Sequence, residues 1–394
     1  MKKRNNHIIF LTNFSSLNAT YTTNKFLINY IQKKFKKIYI INAENLICSQ
    51  KKKYFFSSEI LKRSKNIIIK NFTKNNFVKF TRKTKNIIIL NLNQDPKNLK
   101  IYKILQPANY KVIMISNIGN FQGIPINEGN KNLFKVLVFI YKKKIFPKVL
   151  TILSNLGIAT KIDLRFMCNK NYFNNITNHK IKNFLYQNGL LLTKKIILIN
   201  SKISDLSKIE KIKLSNKHIV HLDQDLQYKH VKEITCYDNN QIKKHYYYLN
   251  IFLEHLSRIF KKKVIVSIHP SYNQKLISKN LPKFKVIKYK TRELIKKSYL
   301  VTFIGSSSIV DAILLKKKIL ALKSEIFVHK NAYVSKLNIP SLNFFDNQNI
   351  SKIKLLKLIK SKNGKINNYI KNYHHAGNKK SLGVEKVCQE IQRI

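Results

Sequence analysis

Short apolar runs with a period of two alternate along this chain with longer stretches whose apolar residues recur every three or four positions. That alternation predicts parallel α/β layers, with buried strands joined by crossover helices. In the first half it predicts strands at "HIIFLTNF" from His7, "KIYIIN" from Lys37, "NIIIK" from Asn66 and "NIIILNL" from Asn86. "KVIMISN" from Lys111, "TKIDLRF" from Thr160 and "KIILINS" from Lys195 continue the series. Helical patterns fall around "TNKFLINYIQKKF" and over a block from about Lys131 to Leu156. The polar run Lys202–Lys217 reads as a linker. The second half restarts with "HIVHLDQD" from His218, a helix around Gln241–Phe260, and "KVIVSIHP" from Lys263. "FKVIKYK", a short helix at "TRELIKKS", "YLVTFIGSSS", a helix from Ser308 to about Lys316, and "KILALKS" follow. The organisation expected is an N-terminal α/β domain over 1–201, a linker over 202–217 and a second α/β domain over 218–365. A basic helical segment, 366–394, is expected to return onto the first domain.

Composition narrows this picture. A chain of 394 residues with 44% hydrophobic content, 23 Phe and 20 Tyr can bury two ordinary cores, which excludes general disorder. The net charge of +58 suggests nucleic acid at first sight, but only seven of the 76 basic residues are Arg. Bidentate recognition of phosphates and base edges prefers the planar guanidinium. The lysines recur on every segment and form no single stripe, so no specific nucleic-acid partner is expected. So positive a surface should still attract anionic lipid headgroups and anionic sugar donors.

The cysteines at 48, 168, 236 and 388 are scattered, with no C-x-x-C pair, and read as reduced thiols of a cytoplasmic protein. "MKKRNNHIIFLTNF" lacks the features of a secretory signal. The most apolar later stretch, "LFKVLVFIYKKKIFPKVLTILSNLGI", is interrupted by Lys142–Lys144 and Pro147, so it reads as two amphipathic helices and not as a membrane span. The expected location is the cytoplasm, with peripheral contact at the inner membrane face.

Three places in the second half combine a strand end with reactive side chains. Asp223 follows the strand His218–Leu222 in a chain that has only 18 acidic residues. A carboxylate there could accept a proton from a hydroxyl or could cap a turn, and Asp225 is the alternative for the same role. His269 and Pro270 end the next apolar strand, where an imidazole could donate to a phosphate oxygen or could be a loop histidine beside a turn proline. In "FIGSSSIVDA", Gly305 permits a tight turn, and Ser306, Ser307 and Ser308 offer hydroxyls ahead of an apolar helix. That arrangement suits a phosphate, although a serine cap alone would produce part of it. Asp311, in the helix's first turn, could bind a ribose or favour the helix dipole. "DQD" at 223–225 matches a metal-binding D-x-D only formally, and no metal is expected.

With Asp223 in "LDQD", His269-Pro270 in "IHP" and Ser306-Ser307 in "GSSS", in that order, Lys217–Leu322 resembles bacterial capsule and lipooligosaccharide glycosyltransferases. The resemblance is to the sialyltransferase and polysialyltransferase-like group. It implies a GT-B fold, two Rossmann-like domains facing across a cleft. It also implies inverting, metal-independent transfer from a CMP-sugar to a glycan or glycolipid acceptor, with no cofactor beyond the donor. By the same resemblance Asp223 is the base, His269 assists the departing phosphate and the serines hold it. The acid motif departs from the family pattern, since Leu226 follows where glycine is usual. Competing readings are a GT-B-type nucleotide-sugar epimerase and a non-catalytic basic binding protein.

Overall fold

The computed structural model describes residues 4–12, 26–46, 67–70, 72–83, 86–91, 99–105, 110–116, 162–168, 193–209, 215–224, 238–269, 272–324, 332–360, 364–375 and 381–394. Single positions at 145, 149, 152, 153, 156, 170, 226 and 377 are also described. Most of the helical block expected over Lys131–Leu156 lies outside the described residues. The chain divides into two compact units. One is drawn from the chain up to Asp205 together with Asn372–Ile394, and the other from Leu206–Lys371.

The first unit carries a seven-stranded sheet in the order β3-β2-β1-β4-β5-β6-β7. Its strands are β1 (Arg4–Thr12), β2 (Phe35–Asn42), β3 (Ile67–Lys70), β4 (Asn86–Asn91), β5 (Tyr110–Ser116), β6 (Ile162–Met167) and β7 (Thr193–Leu198), every pair parallel. Alternate side chains point to opposite faces, and both faces are covered, which explains the near-continuous isoleucine runs. Ile8, Phe10, Ile38, Ile40, Ile87 and Ile89 pack with Leu27, Ile28 and Ile31 and with Val384, Val387 and Ile391. On the opposite face, Ile9, Leu11, Tyr39, Ile41 and Ile88 pack with Phe77, Ile101 and Tyr102.

The helix Gly383–Arg393 completes the first of these faces. Its early N–H groups have no partner within the helix. The buried Asp205 carboxylate supplies one, accepting from Gly383 N at 2.9 Å and Val384 N at 2.8 Å. Gly383 is required by close approach, because a Cβ there would lie 2.3 Å from the Asn200 carbonyl oxygen. The stretch read from sequence as a linker therefore opens with a helix, Lys202–Ile209, and the division between the units falls within it. Its buried residues are Ser204 and Asp205, so its burial carries no apolar signature.

The second unit has six parallel strands in the order β10-β9-β8-β11-β12-β13. They are β8 (His218–Leu222), β9 (Val264–Ser267), β10 (Lys285–Ile287), β11 (Ser298–Phe303), β12 (Lys318–Lys323) and β13 (Ser341–Asn343). The long helix Asn239–Phe260 starts in a capping box, where Gln241 N donates to Asp238 Oδ1 at 2.7 Å and Asp238 N donates to Gln241 Oε1 at 3.1 Å. It buries Ile242, Tyr246, Leu249, Phe252, Leu253 and Leu256 against Ile219, Val264, Val266, Leu300 and Leu320. The helices Thr291–Lys297 and Ile309–Leu314 pack against each other and on β11, and the first also packs on β8.

Candidate functional site

Strand order places the candidate site. In each sheet, successive strands are added first to one side of the initial strand and then to the other, so the order reverses between β1 and β4 and between β8 and β11. In open α/β sheets the loops at the carboxyl ends diverge at such a reversal and leave a crevice for a ligand. The loops after β1 and β4 lie outside the described residues. In the second unit, β9, β8 and β11 are adjacent, and their carboxyl ends lead directly to His269, Asp223 and Gly305. All three sequence motifs therefore share one sheet edge around the β8/β11 reversal.

Beyond the ends of these two strands the Gln224 side chain reaches across to Gly305. A Cβ on Gly305 would lie 2.0 Å from Gln224 Oε1, the end of a side chain that can turn aside. The Gly305 backbone is not left-handed. Past it, the Ser308 N–H donates to Ser306 Oγ at 3.3 Å, which leaves the Ser306 hydroxyl hydrogen as a donor for a ligand. Ser307 is exposed and Ser308 half-buried, and the Ser308 side chain makes no capping bond to the helix it begins. A plain serine cap does not describe this turn. Asp311 forms an ion pair with Arg292, a residue that the sequence reading did not select.

Asp223 sits at the carboxyl end of β8, but its side chain faces inward and is fully enclosed. Residues 219, 221 and 223 share the sheet face covered by the long helix. That face is apolar along most of its length and polar at its carboxyl end. Tyr246 donates its hydroxyl to Asp223 Oδ2 at 3.3 Å, and His221 Nε2 faces Asp223 Oδ1 at 3.6 Å. The other His221 nitrogen, Nδ1, lies 3.0 Å from Thr302 Oγ1, and His245 Nδ1 lies 3.3 Å from Ser324 Oγ. Burial pushes the His245 pKa down to about 4, Asp223 opposing the drop and His221 adding to it, so this ring is neutral at pH 7. The signal for the cluster was present in sequence, because His221 precedes Asp223 by the two-residue period of a strand face.

His269 follows β9 and is exposed, with its ring 5.3 Å from that of Tyr272. Loss of water around the ring, and secondarily the Lys288 ammonium, lowers its pKa. A neutral imidazole has one N–H donor and one acceptor nitrogen, so this ring can give or take a proton at the sheet edge. Asp225 and Pro270 lie outside the described residues. Among the described residues, no group of three or more His, Cys, Asp or Glu side chains is placed to hold a metal ion.

Two parallel Rossmann-like sheets with this strand order define the GT-B class of fold, and solved structures with that fold match the chain along almost its whole length. One is the UDP-GlcNAc 2-epimerase from Methanocaldococcus jannaschii, with 12% identity, a TM-score of 0.51 and coverage of 99% of this chain and 100% of that one. Another is the wall teichoic acid polymerase TagF, with 12% identity, a TM-score of 0.52 and coverage of 99% and 89% respectively. At such identities the likeness is one of fold. No protein-family profile and no curated protein sequence matches this chain.

Proposed function

We propose that the chain is a glycosyltransferase that takes its sugar from a nucleotide-activated donor. The observation that carries this reading is the Gly305–Ser308 turn, set at the β8/β11 reversal beside the ends of β8 and β9. A phosphate there would meet the hydroxyls of Ser306 and Ser307, with the His269 imidazole at the end of β9, on the far side of β8. The motif order favours a CMP-linked, sialic-acid-like sugar as the donor, and a capsule or lipooligosaccharide glycan or glycolipid as the acceptor. The acceptor oxygen attacks the anomeric carbon as the C–O bond to phosphate breaks, which inverts the configuration and requires no metal. His269 assists the departing phosphate.

Asp223 is the proposed base for the acceptor hydroxyl, with Asp225 its alternative. Asp223 is enclosed, so the reaction requires Tyr246 to release Oδ2 when substrates bind. Catalytic hydrogen bonds are often long or poorly aligned in the free enzyme and tighten only in the substrate complex. The lysine-rich surface would hold the enzyme against an anionic inner membrane face, near a lipid-linked acceptor. Among the described residues, no helix is long and apolar enough to cross a membrane.

The test is incubation of the protein with CMP-, UDP- and GDP-sugars and a glycan panel, with and without chelator. Transfer from a CMP-sugar that survives chelation is expected. A second reading, a nucleotide-sugar epimerase, is favoured by the fold likeness to the UDP-GlcNAc 2-epimerase. Interconversion of UDP-GlcNAc without any acceptor would establish it in place of the first.

A further inference from the structure

Arginine is rare in this chain: lysine fills 69 of its 76 basic positions. Arginine differs from lysine in its planar, always charged fork, which suits a carboxylate or a phosphate. Arg393 pairs with Glu390 on its own helix, Arg82 and Arg258 are exposed, and Arg165 is buried in β6 of the first unit. Arg292 is the half-buried arginine of the second unit. Its side chain is 18% exposed, and it is held by Asp311, itself 15% exposed.

The topology fixes where this guanidinium sits. The helix Thr291–Lys297 begins at the carboxyl edge of the sheet, because the Thr291 hydroxyl lies 2.8 Å from the Ser267 hydroxyl at the end of β9. The same helix ends toward the amino end of β8, where His218 Nε2 lies 3.0 Å from the Leu294 carbonyl oxygen and Lys217 N donates to the Lys297 carbonyl at 2.9 Å. Arg292, the second residue of the helix, is therefore at the ligand edge. Its partner Asp311 lies one helical turn after Ser308. Arg292 and the serine turn thus flank the β8/β11 reversal.

We infer that Arg292 is a phosphate-binding residue of the nucleotide site and that Asp311 sets the direction of its fork; this rests on the nucleotide-sugar reading above. Asp311 engages Nη1. A guanidinium presents five N–H donors on three nitrogens, so a carboxylate and a phosphate can share it. Asp311 is then a positioning residue: it holds the cation at the edge before the nucleotide arrives.

The experiment separates the phosphate from the rest of the ligand. Affinities of CMP and cytidine, and of UMP and uridine, are measured by calorimetry for the wild type and for Arg292→Gln, Arg292→Lys and Asp311→Asn, with thermal melting as the check on folding. For whichever base the wild type binds, the nucleotide should exceed the nucleoside in affinity. Arg292→Gln should shrink that ratio about ten- to hundredfold, with nucleoside affinity retained. Arg292→Lys should restore only part of the ratio, and Asp311→Asn should reduce it by less than Arg292→Gln does. A folded Arg292→Gln variant with the wild-type ratio would overturn the inference and leave the nucleotide-sugar reading standing, and so would equal loss of nucleoside and nucleotide affinity. Absence of any nucleotide binding by the wild type would overturn both. If Arg292→Gln does not fold, the Arg292→Lys ratio decides, and a wild-type value there counts against the fork.

Discussion

Replacing Asp205 with Ala should destabilise the first unit by an amount that the local geometry sets. Its carboxylate is 1% exposed as part of the residue and accepts two backbone N–H groups, from Gly383 at 2.9 Å and Val384 at 2.8 Å. These are the first two residues of the helix that closes one face of the seven-stranded sheet. Alanine strands both donors, and a buried donor without a partner costs about 1–3 kcal/mol. The expected loss is about 2–6 kcal/mol, its lower end applying if water enters the space that the carboxylate leaves. Against a typical domain stability of about 5–15 kcal/mol, that is a large fraction. Asp205→Asn keeps the shape and one acceptor but turns an amide N–H toward a backbone N–H, so its loss should be of the same order. Urea unfolding gives the free energy, and hydrogen exchange at Gly383 and Val384 locates it. An Asp205→Ala protein within about 0.5 kcal/mol of wild type, the usual range for surface substitutions, with unchanged protection at those amides would mean that the carboxylate does not hold this helix.

Stability should also fall in acid for an identified reason. His245 and His374 are buried, and burial lowers both pKa values to about 4. Their unfolded value is higher, about 6.5, so the unfolded chain binds more protons between these limits. The contribution is complete above the unfolded value and is lost as pH falls toward 4, on the order of 3 kcal/mol per histidine. Urea midpoints measured from pH 7.5 to 4.5 should drop, and His245→Asn should flatten the slope in the second unit; a flat wild-type profile contradicts this. In transfer assays, Asp223→Asn should keep donor affinity and lower turnover about 10²–10⁴-fold, whereas His269→Ala should harm both. If Asp225→Asn is the inactive variant instead, the motif stands and the base is reassigned. Vesicles with anionic lipid should bind the protein at low salt and release it as salt rises, because exposed charges are screened beyond about 8–10 Å at physiological ionic strength. Binding that persists in high salt would require an apolar contact.

The sheets were legible in sequence because parallel strands covered on both faces become runs of isoleucine and valine, as in β1, β4 and β9. β13 was not, since "SLN" offers one apolar residue and no period. The helix Lys202–Ile209 was hidden because what it buries, Ser204 and Asp205, is polar and serves hydrogen bonding. At the candidate site, residue types at strand ends located His269, Asp223 and the serine turn, and the strand order brought them to one edge. The alternation of β8 puts His221 and Asp223 on one face, but that Tyr246 meets Asp223 there depends on a helix that begins well downstream and was not legible. Nor could sequence show that Asp311 would meet Arg292 across two short helices.

The claim on which the account turns is that the Gly305–Ser308 turn receives a donor phosphate. The direct measurement is a calorimetric titration of CMP and a CMP-sugar into the full chain and into its Ser306→Ala/Ser307→Ala double variant, with chelator present throughout. Saturable binding by the wild type is expected, with a loss of about 1–3 kcal/mol in the folded double variant, the cost of two hydroxyl donors to a charged oxygen. Equal affinity in both proteins, or no saturable binding of either ligand to the wild type, would contradict that claim.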